Sequence, residues 1–398
     1  MNYLQKLLRA VLAGSCLLLG AVLVAGAIPS HFAPGLAFAG DRDDDDDDHD
    51  RGRERHHGDR DFRIEVLSSR PDMIAGGDAL VRVTVRKKHV KLSDVRVELN
   101  GADVTGAFTA DPAAGTLTGL VTGMRLGRNE LEVDAKGKGK GRADADIKLT
   151  NYPIEGPIIS GPHEQPYVCA GQQSTLNQLN NAWFARLAVL TEAPTQDANC
   201  HFPTRVDYLY RTNAVPSALA VWPAGATDYP SDLGVTSTGK PYIIRQETGT
   251  VNRAVYQISM LHDPIAQPAA PSWRNPSAIW NKRLIYTFGG GCIGGWYRQG
   301  TSTGGVTDDF MLSNGYALAS SSLNVFGNNC NDLTAAESMM MVKERFIEAY
   351  GPPAHTQGWG CSGGSYAQHQ IGDNYPGLLD GLIVGRSFPD VTSSRSSS

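Results

Sequence analysis

The stretch Gly358-Trp359-Gly360-Cys361-Ser362-Gly363-Gly364-Ser365-Tyr366 constrains this chain more than any other. It sets a serine at the centre of a G-x-S-x-G pattern. Such a serine suits a sharp turn between a strand and a helix, where its hydroxyl is lifted clear of the backbone. The glycines meet a steric need. Side chains at Gly360, Gly363 or Gly364 would strike the incoming strand or the outgoing helix. The turn therefore demands a strand before it and a helix after it, which points to an α/β sheet.

The flanking sequence supplies those elements. Arg283-Leu284-Ile285-Tyr286-Thr287-Phe288 reads as a short apolar strand, followed at once by Gly289-Gly290-Gly291-Cys292-Ile293-Gly294-Gly295. Residues 316–319 read as another strand. Residues 334–350 read as a helix, with Thr334 as its cap, Glu337 three residues on, and Gly351-Pro352-Pro353 as its stop. Residues 364–374 would form the helix after the turn, and residues 378–384 a further buried strand. Strand, helix, strand alternation implies parallel pairing.

This order assigns a chemistry. A serine hydroxyl is a poor nucleophile until a base takes its proton. Ser362 would attack, and the N–H of Gly363, at the start of the helix, would face the oxyanion that forms. The backbone of Gly290, Gly291 and Cys292 would supply a second donor, because no side chains block its approach.

Upstream, residues 61–150 have a different texture. Phe62–Val66, Ala79–Val85, Val95–Leu99, residues 129–133 and residues 145–149 all alternate apolar with polar. Period two marks strands with one buried face. Asn100-Gly101 is a turn signal. Several short strands at intervals suggest a small all-β sandwich of immunoglobulin-like type. The segment holds no Cys or Trp, which excludes an antibody-type domain. The run Lys136-Gly137-Lys138-Gly139-Lys140-Gly141-Arg142 reads as a solvated hairpin loop. Dense Pro and Gly from Asn151 onward mark a linker. Beyond it, residues 204–211, 242–248 and 254–258 read as antiparallel strands.

The N-terminus reads as an export signal over residues 1–39. Lys6 and Arg9 precede an apolar run over residues 10–28, and Ala37-Phe38-Ala39 offers a cleavage site before Gly40. The alternative is an uncleaved N-terminal membrane anchor. Residues 40–60 are a low-complexity linker with ten acidic and five basic residues, expected to be disordered. Their net charge equals the −5 of the whole chain, so the remainder is near neutral. That excludes the basic footprint of a nucleic-acid binder. The tract lacks the Gly and Glu spacing of a calcium loop, and no metal or cofactor is expected.

At Cys361-Ser362, and at Tyr375-Pro376-Gly377-Leu378-Leu379-Asp380-Gly381-Leu382-Ile383, the chain resembles the tannase/feruloyl-esterase branch of the α/β-hydrolases. The resemblance implies a nucleophile elbow at Ser362 and an ester-hydrolase mechanism. It also implies a disulfide from the elbow cysteine to one beside the catalytic histidine. Nearly all of the exported portion is similar to a bacterial secreted family of unknown function. There the same Gly-Gly-Gly-Cys and Cys-Ser-Gly-Gly pair follows a β-sandwich-like segment.

The triad departs from the pattern. In α/β-hydrolases an acid and a histidine follow the serine. After Ser362 the only histidine is His369, seven residues along the same helix and read as a packing or surface residue. Asp390 is a candidate acid. Residues 392–398 resemble neither strand nor helix, so the chain is expected to be C-terminally truncated, with an incomplete α/β-hydrolase sheet over residues 151–398. An alternative takes the base from upstream, at His262-Asp263, as chymotrypsin-like enzymes place His before Ser.

Export puts cysteines in an oxidising compartment. Six are present, and removal of the signal takes Cys16 away. Cys169 with Cys200 and Cys292 with Cys330 are candidate pairs, with other connectivities open. Cys361 is then left unpaired. The expectation is a secreted or periplasmic serine ester hydrolase scaffold acting on a small-molecule or polymeric ester, with no nucleic acid and no membrane after cleavage. The alternative is a non-catalytic secreted protein that binds a polymer or mediates adhesion through its β-sandwich.

Overall fold

The computed structural model describes residues 61–86, 90–135, 145–169, 196–292, 298–300 and 302–388. The expected export signal, acidic tract, Lys-Gly loop, Gly294, Gly295 and Asp390 lie outside the described residues.

The N-terminal part is all strand. It contains β1 (Phe62–Val66), β2 (Ile74–Ala75), β3 (Ala79–Val85), β4 (Val95–Leu99), β5 (Ala102–Asp103), β6 (Phe108–Asp111), β7 (Thr116–Val121), β8 (Gly127–Ala135) and β9 (Ala145–Tyr152). One sheet has the order β1-β3-β7-β6, the other β2-β9-β8-β4-β5. The alternating residues put one face of each sheet into a shared apolar core that includes Phe62, Val81, Val97, Leu131 and Leu149. Between β4 and β5, Asn100 and Gly101 both take positive φ, 51° and 80°, as a tight hairpin turn requires.

The larger sheet follows. Its strands are β10 (Arg205–Arg211), β11 (Leu219–Val221), β12 (Ile243–Val251), β13 (Ala254–Leu261), β14 (Arg283–Phe288), β15 (Ala317–Ser321), β16 (His355–Cys361) and β17 (Gly381–Gly385). Their order is β11-β10-β12-β13-β15-β14-β16-β17. The β10–β13 half is antiparallel, and β13 also runs antiparallel to β15. From β15 through β14 and β16 to β17 every pairing is parallel. Three α-helices are described: α1 (Asp309–Ser313), α2 (Asp332–Tyr350) and α3 (Gly363–Asn374). Sheet thus dominates, with few helices among the described residues. None of these helices is long and apolar enough to cross a membrane.

Helix α2 differs from its sequence reading in two ways. Its cap is Asn331, whose side chain accepts the N–H of Thr334 at 2.9 Å. Thr334 is therefore a donor to the cap, not the cap. Glu337, expected to complete a capping box, instead turns into the protein. One carboxylate oxygen accepts the N–H groups of Ile158, Ile159 and Ser160 at 2.7, 2.7 and 2.9 Å, and the other accepts the Ser160 hydroxyl. Helix α2 is also buried nearly all round, because it touches β12, β13 and β15 on one side and β2 and β3 on the other.

Three more of its charged side chains, Lys343, Glu344 and Arg345, bond to distant segments. The Lys343 ammonium donates to the carbonyls of Gly377 and Leu378, both at 2.9 Å. Glu344 accepts the Ser69 hydroxyl at 2.8 Å and the N–H of Ala75 at 3.1 Å. Arg345 donates to Glu247 of β12 at 3.0 Å. Glu247 also accepts the hydroxyls of Tyr256 and Tyr350. The strand expected over residues 378–384 begins only at Gly381, and Leu378 is buried in the preceding loop.

Two outcomes follow from these buried carboxylates. Glu337→Ala strands three backbone N–H groups and should cost about 2–4 kcal/mol, read from the urea midpoint. Glu337→Gln, which keeps an acceptor oxygen, should cost less. Burial raises the Glu344 pKa to about 8 from its ordinary 4.5, against the pull of Ser69 and the Ala75 N–H. Burial also raises Glu348 and Asp78. The folded state then binds more protons than the unfolded one between those two values, so stability falls as pH rises across that window. The slope from one such group is up to about 1.4 kcal/mol per pH unit. Urea denaturation from about pH 5 to pH 8 should show this fall, and Glu344→Gln should flatten it.

Candidate active site

Strand β16 ends at Cys361 and α3 begins at Gly363, which leaves Ser362 alone at the turn. Its backbone sits at φ 57° and ψ −123°, a conformation that costs a non-glycine residue about 1–3 kcal/mol. Hydrogen bonds on both sides hold it there. The Ser362 N–H donates to the Gly385 carbonyl at 3.0 Å. The Ser362 carbonyl accepts the N–H groups of Ser365 at 2.8 Å and Tyr366 at 3.1 Å. The residue itself is exposed at the carboxyl end of the parallel strands.

The glycine loop after β14 lies against this turn. A Cβ on Gly290 would stand 3.1 Å from the Cys361 carbonyl oxygen and 3.3 Å from the Ser362 Cβ. A Cβ on Gly363 would run into the Gly291 carbonyl. Those on Gly360 and Gly364 would meet the Phe288 carbonyl at 2.9 and 2.8 Å. Gly290, Gly291, Ser362 and Gly363 are therefore assembled in one place, with Gly291 and Cys292 exposed beside the serine.

Residues not singled out in the sequence hold the loop. The Gly289 N–H donates to the Asn324 carbonyl at 3.0 Å, and the Gly327 N–H to the Gly290 carbonyl at 2.9 Å. Asn324 is fully buried. Its side-chain oxygen accepts the hydroxyls of Tyr286 and Ser321 at 2.7 and 2.6 Å, and its amide donates to the Ala335 carbonyl at 2.7 Å. The cluster Asn324, Asn328, Asn329 and Asn331 directly after β15 is the signal that marks this segment. Buried Asn is informative because every one of its polar atoms needs a partner.

The cysteines frame the same region. Cys292 and Cys330 form a disulfide with 5.1 Å between Cα atoms, joining the glycine loop to the residue before the α2 cap. Cys169 and Cys200 form another. Cys361 corrects its expectation: it is disulfide-bonded, and no described cysteine is free. Nearby, the rings of Phe326 and Tyr366 lie 5.9 Å apart, and the Tyr366 hydroxyl donates to Asp332 at 3.3 Å.

The upstream-base alternative is not met. Strand β13 runs antiparallel to β15, with Tyr256 opposite Ser321. Ser321 is at the same end of the sheet as Ser362, so His262 lies at the other end, roughly 20 Å along the strand. His262 is fully buried, and both ring nitrogens lack a hydrogen-bond partner among the described residues. Burial, aided by Arg245, lowers its pKa. Asp263 accepts the Tyr229 hydroxyl at 2.8 Å and the N–H groups of Ile265 and Ala266. His369 is exposed on α3. Among the described residues no side chain hydrogen-bonds the Ser362 hydroxyl, and no cluster of three His, Cys, Asp or Glu side chains could hold a metal ion.

The loop contact gives a direct test. Gly291 has φ +108°, and a Cβ there would lie 2.6 Å from the Gly327 backbone. Gly291→Ala should lose about 1–3 kcal/mol in thermal denaturation.

Comparison with known proteins places the chain. No curated protein matches it. Among solved structures, tannin acyl hydrolase from Aspergillus niger is similar at 14% identity and a TM-score of 0.27. That similarity covers 52% of this chain and 37% of the fungal one, so the chain spans well under half of that protein's length. A family profile described as a tannase-like family of unknown function (DUF6351) matches residues 64–398, from β1 through the Ser362 turn and beyond. The chain belongs to this tannase-like family.

Proposed function

We propose that the protein is an exported serine ester hydrolase of the α/β-hydrolase type, with Ser362 as its nucleophile. The observation that carries this reading is the exposed serine held at φ 57° with the glycine loop packed against its Cβ. A serine in that conformation is stable only where surrounding bonds over-determine it, and such strain concentrates at reactive positions. The tannase-like character of the family favours an ester as substrate.

The chemistry assigned to these groups is acyl transfer. The Ser362 oxygen attacks the ester carbonyl carbon while a base takes its proton. The carbonyl oxygen becomes an oxyanion and receives the N–H of Gly363 and an amide of the Gly290–Cys292 loop. Removing one such donor typically costs about 3 kcal/mol of transition-state stabilisation. The alcohol leaves with the proton, and water then releases the acid from the serine. The parallel strands β15, β14, β16 and β17 are read as part of an α/β-hydrolase sheet. Residues 61–150 are read as an immunoglobulin-like sandwich and residues 151–398 as the hydrolase-like unit. Two disulfides fit export to an oxidising compartment.

The nucleophile is tested without assuming the source of its base. The chain is incubated with a fluorophosphonate, with and without imidazole, which supplies a proton acceptor. Labelling at Ser362, absent from Ser362→Ala, is the expected result. No Ser362-dependent labelling under either condition overturns the assignment.

A further inference from the structure

A cavity lies away from Ser362. It has a volume of about 60 Å³, and it forms where the segment after β1 meets α2 and the end of α3. Met73, Met340 and Leu378 give it an apolar lining, and Arg70, Lys343 and Tyr375 contribute polar groups. Ser362 and Tyr375 flank the two ends of α3, which puts the cavity roughly 18 Å from the serine along the helix.

Its electrostatics are uneven. Arg70 is neutralised by Asp72, with both contacts at 3.0 Å. Lys343 is 9% exposed and makes no ion pair among the described residues. Two carbonyls take two of its three N–H bonds, and no described acceptor takes the third. Asp380, which acts on it through space, is held by the Thr356 N–H at 2.7 Å. Burying an ammonium with no counter-charge in direct contact is costly, and an anion in the cavity would relieve that cost.

We propose that this cavity binds a small organic monocarboxylate, its apolar body against Met73, Met340 and Leu378 and its carboxylate on the Lys343 ammonium. The one ammonium in the lining without a direct ion pair selects one negative charge. The methionine and leucine walls select an organic body over inorganic phosphate, and Met adapts readily to such a body. A ligand there touches the β1–β2 connection, α2 and the loop after α3 together, so it would also brace their junction.

Burial lowers the Lys343 pKa to about 8, against the pull of Asp380. The charged and titratable groups around it are Arg70 and Asp72 from the N-terminal part, Glu344 on its own helix, Tyr375 after α3, and Asp380 before β17. A carboxylate ligand stays ionised above neutrality, so its affinity should be full below that value and fall as Lys343 loses its proton. Glu344 ionises over the same range and repels the ligand in the same direction.

The test is isothermal titration of the full chain with benzoate and with benzyl alcohol, its uncharged counterpart. Benzoate should bind, and benzyl alcohol roughly tenfold or more weakly. Lys343→Met should lose roughly ten- to hundredfold in benzoate affinity, the scale of one charge-assisted hydrogen bond. Ser362→Ala should bind benzoate as the unaltered chain does, which separates this cavity from the proposed esterase site. Should Lys343→Met fail to fold, the pH series on the unaltered chain decides: benzoate affinity should fall from about pH 7 to pH 9.5. No benzoate binding, equal affinity for benzyl alcohol, a flat pH series, or loss of binding in Ser362→Ala each overturns the proposal.

Discussion

Helix α2 carries Glu337, Lys343 and Glu344 almost out of reach of water, and the structure is organised around their hydrogen bonds. A buried charge without partners is expensive enough to cancel much of a domain's net stability. Each of these groups therefore dictates where some other segment must be. Glu337 fixes residues 158–160, Glu344 fixes the stretch from Ser69 to Ala75, and Lys343 fixes Gly377 and Leu378. Arg345 and Tyr350 bind the same helix to Glu247 in the large sheet. The N-terminal sheets, the long β9–β10 connection and the large sheet all meet on one helix.

The same helix reaches the candidate active site by two routes. At its start, Cys330 is bonded to Cys292 in the glycine loop, and the carbonyl of Ala335 orients Asn324 beneath that loop. Near its middle, Lys343 holds the loop between α3 and β17. Strand β17 in turn supplies the Gly385 carbonyl that receives the Ser362 N–H. A change in the packing of α2 is thereby felt on both sides of the serine.

Some of this could be read from residue order, and some could not. Strands Phe62–Val66, Ala79–Val85, Val95–Leu99 and Arg283–Phe288 form where the alternation or the apolar run places them, because sheet periodicity is a local property. The Ser362 turn and the glycine loop were legible for a related reason: their glycines report backbone crowding directly. The short strands Phe108–Asp111 and Thr116–Val121 carried no such mark, since Thr and Gly dilute the apolar pattern. The role of Glu337 was hidden by its charge. Sequence reasoning sends charges to solvent or to caps, and only the tertiary contact with residues 158–160 brings this one inside. His262 shows the limit most sharply. Its neighbours suggested a site, but strand direction decides which end of the sheet it occupies, and direction is set by pairing with β15 far along the chain.

That difference between backbone and side chain explains why one half of the proposed catalytic constellation is easier to read than the other. The serine and its candidate oxyanion donors are positioned by main-chain bonds: Ser362 to Gly385, Gly327 to Gly290, Gly289 to Asn324. Such bonds need glycine at the contact points, and glycine leaves a trace in the sequence. A general base has no comparable requirement. It is a single side chain that must reach the exposed edge formed by β14, β15 and β16, and any element ending there can present it. The motif around Ser362 is therefore fixed by its backbone whatever side chains surround it. A reagent that reads the serine itself is accordingly a sharper probe of this protein than turnover of an ester.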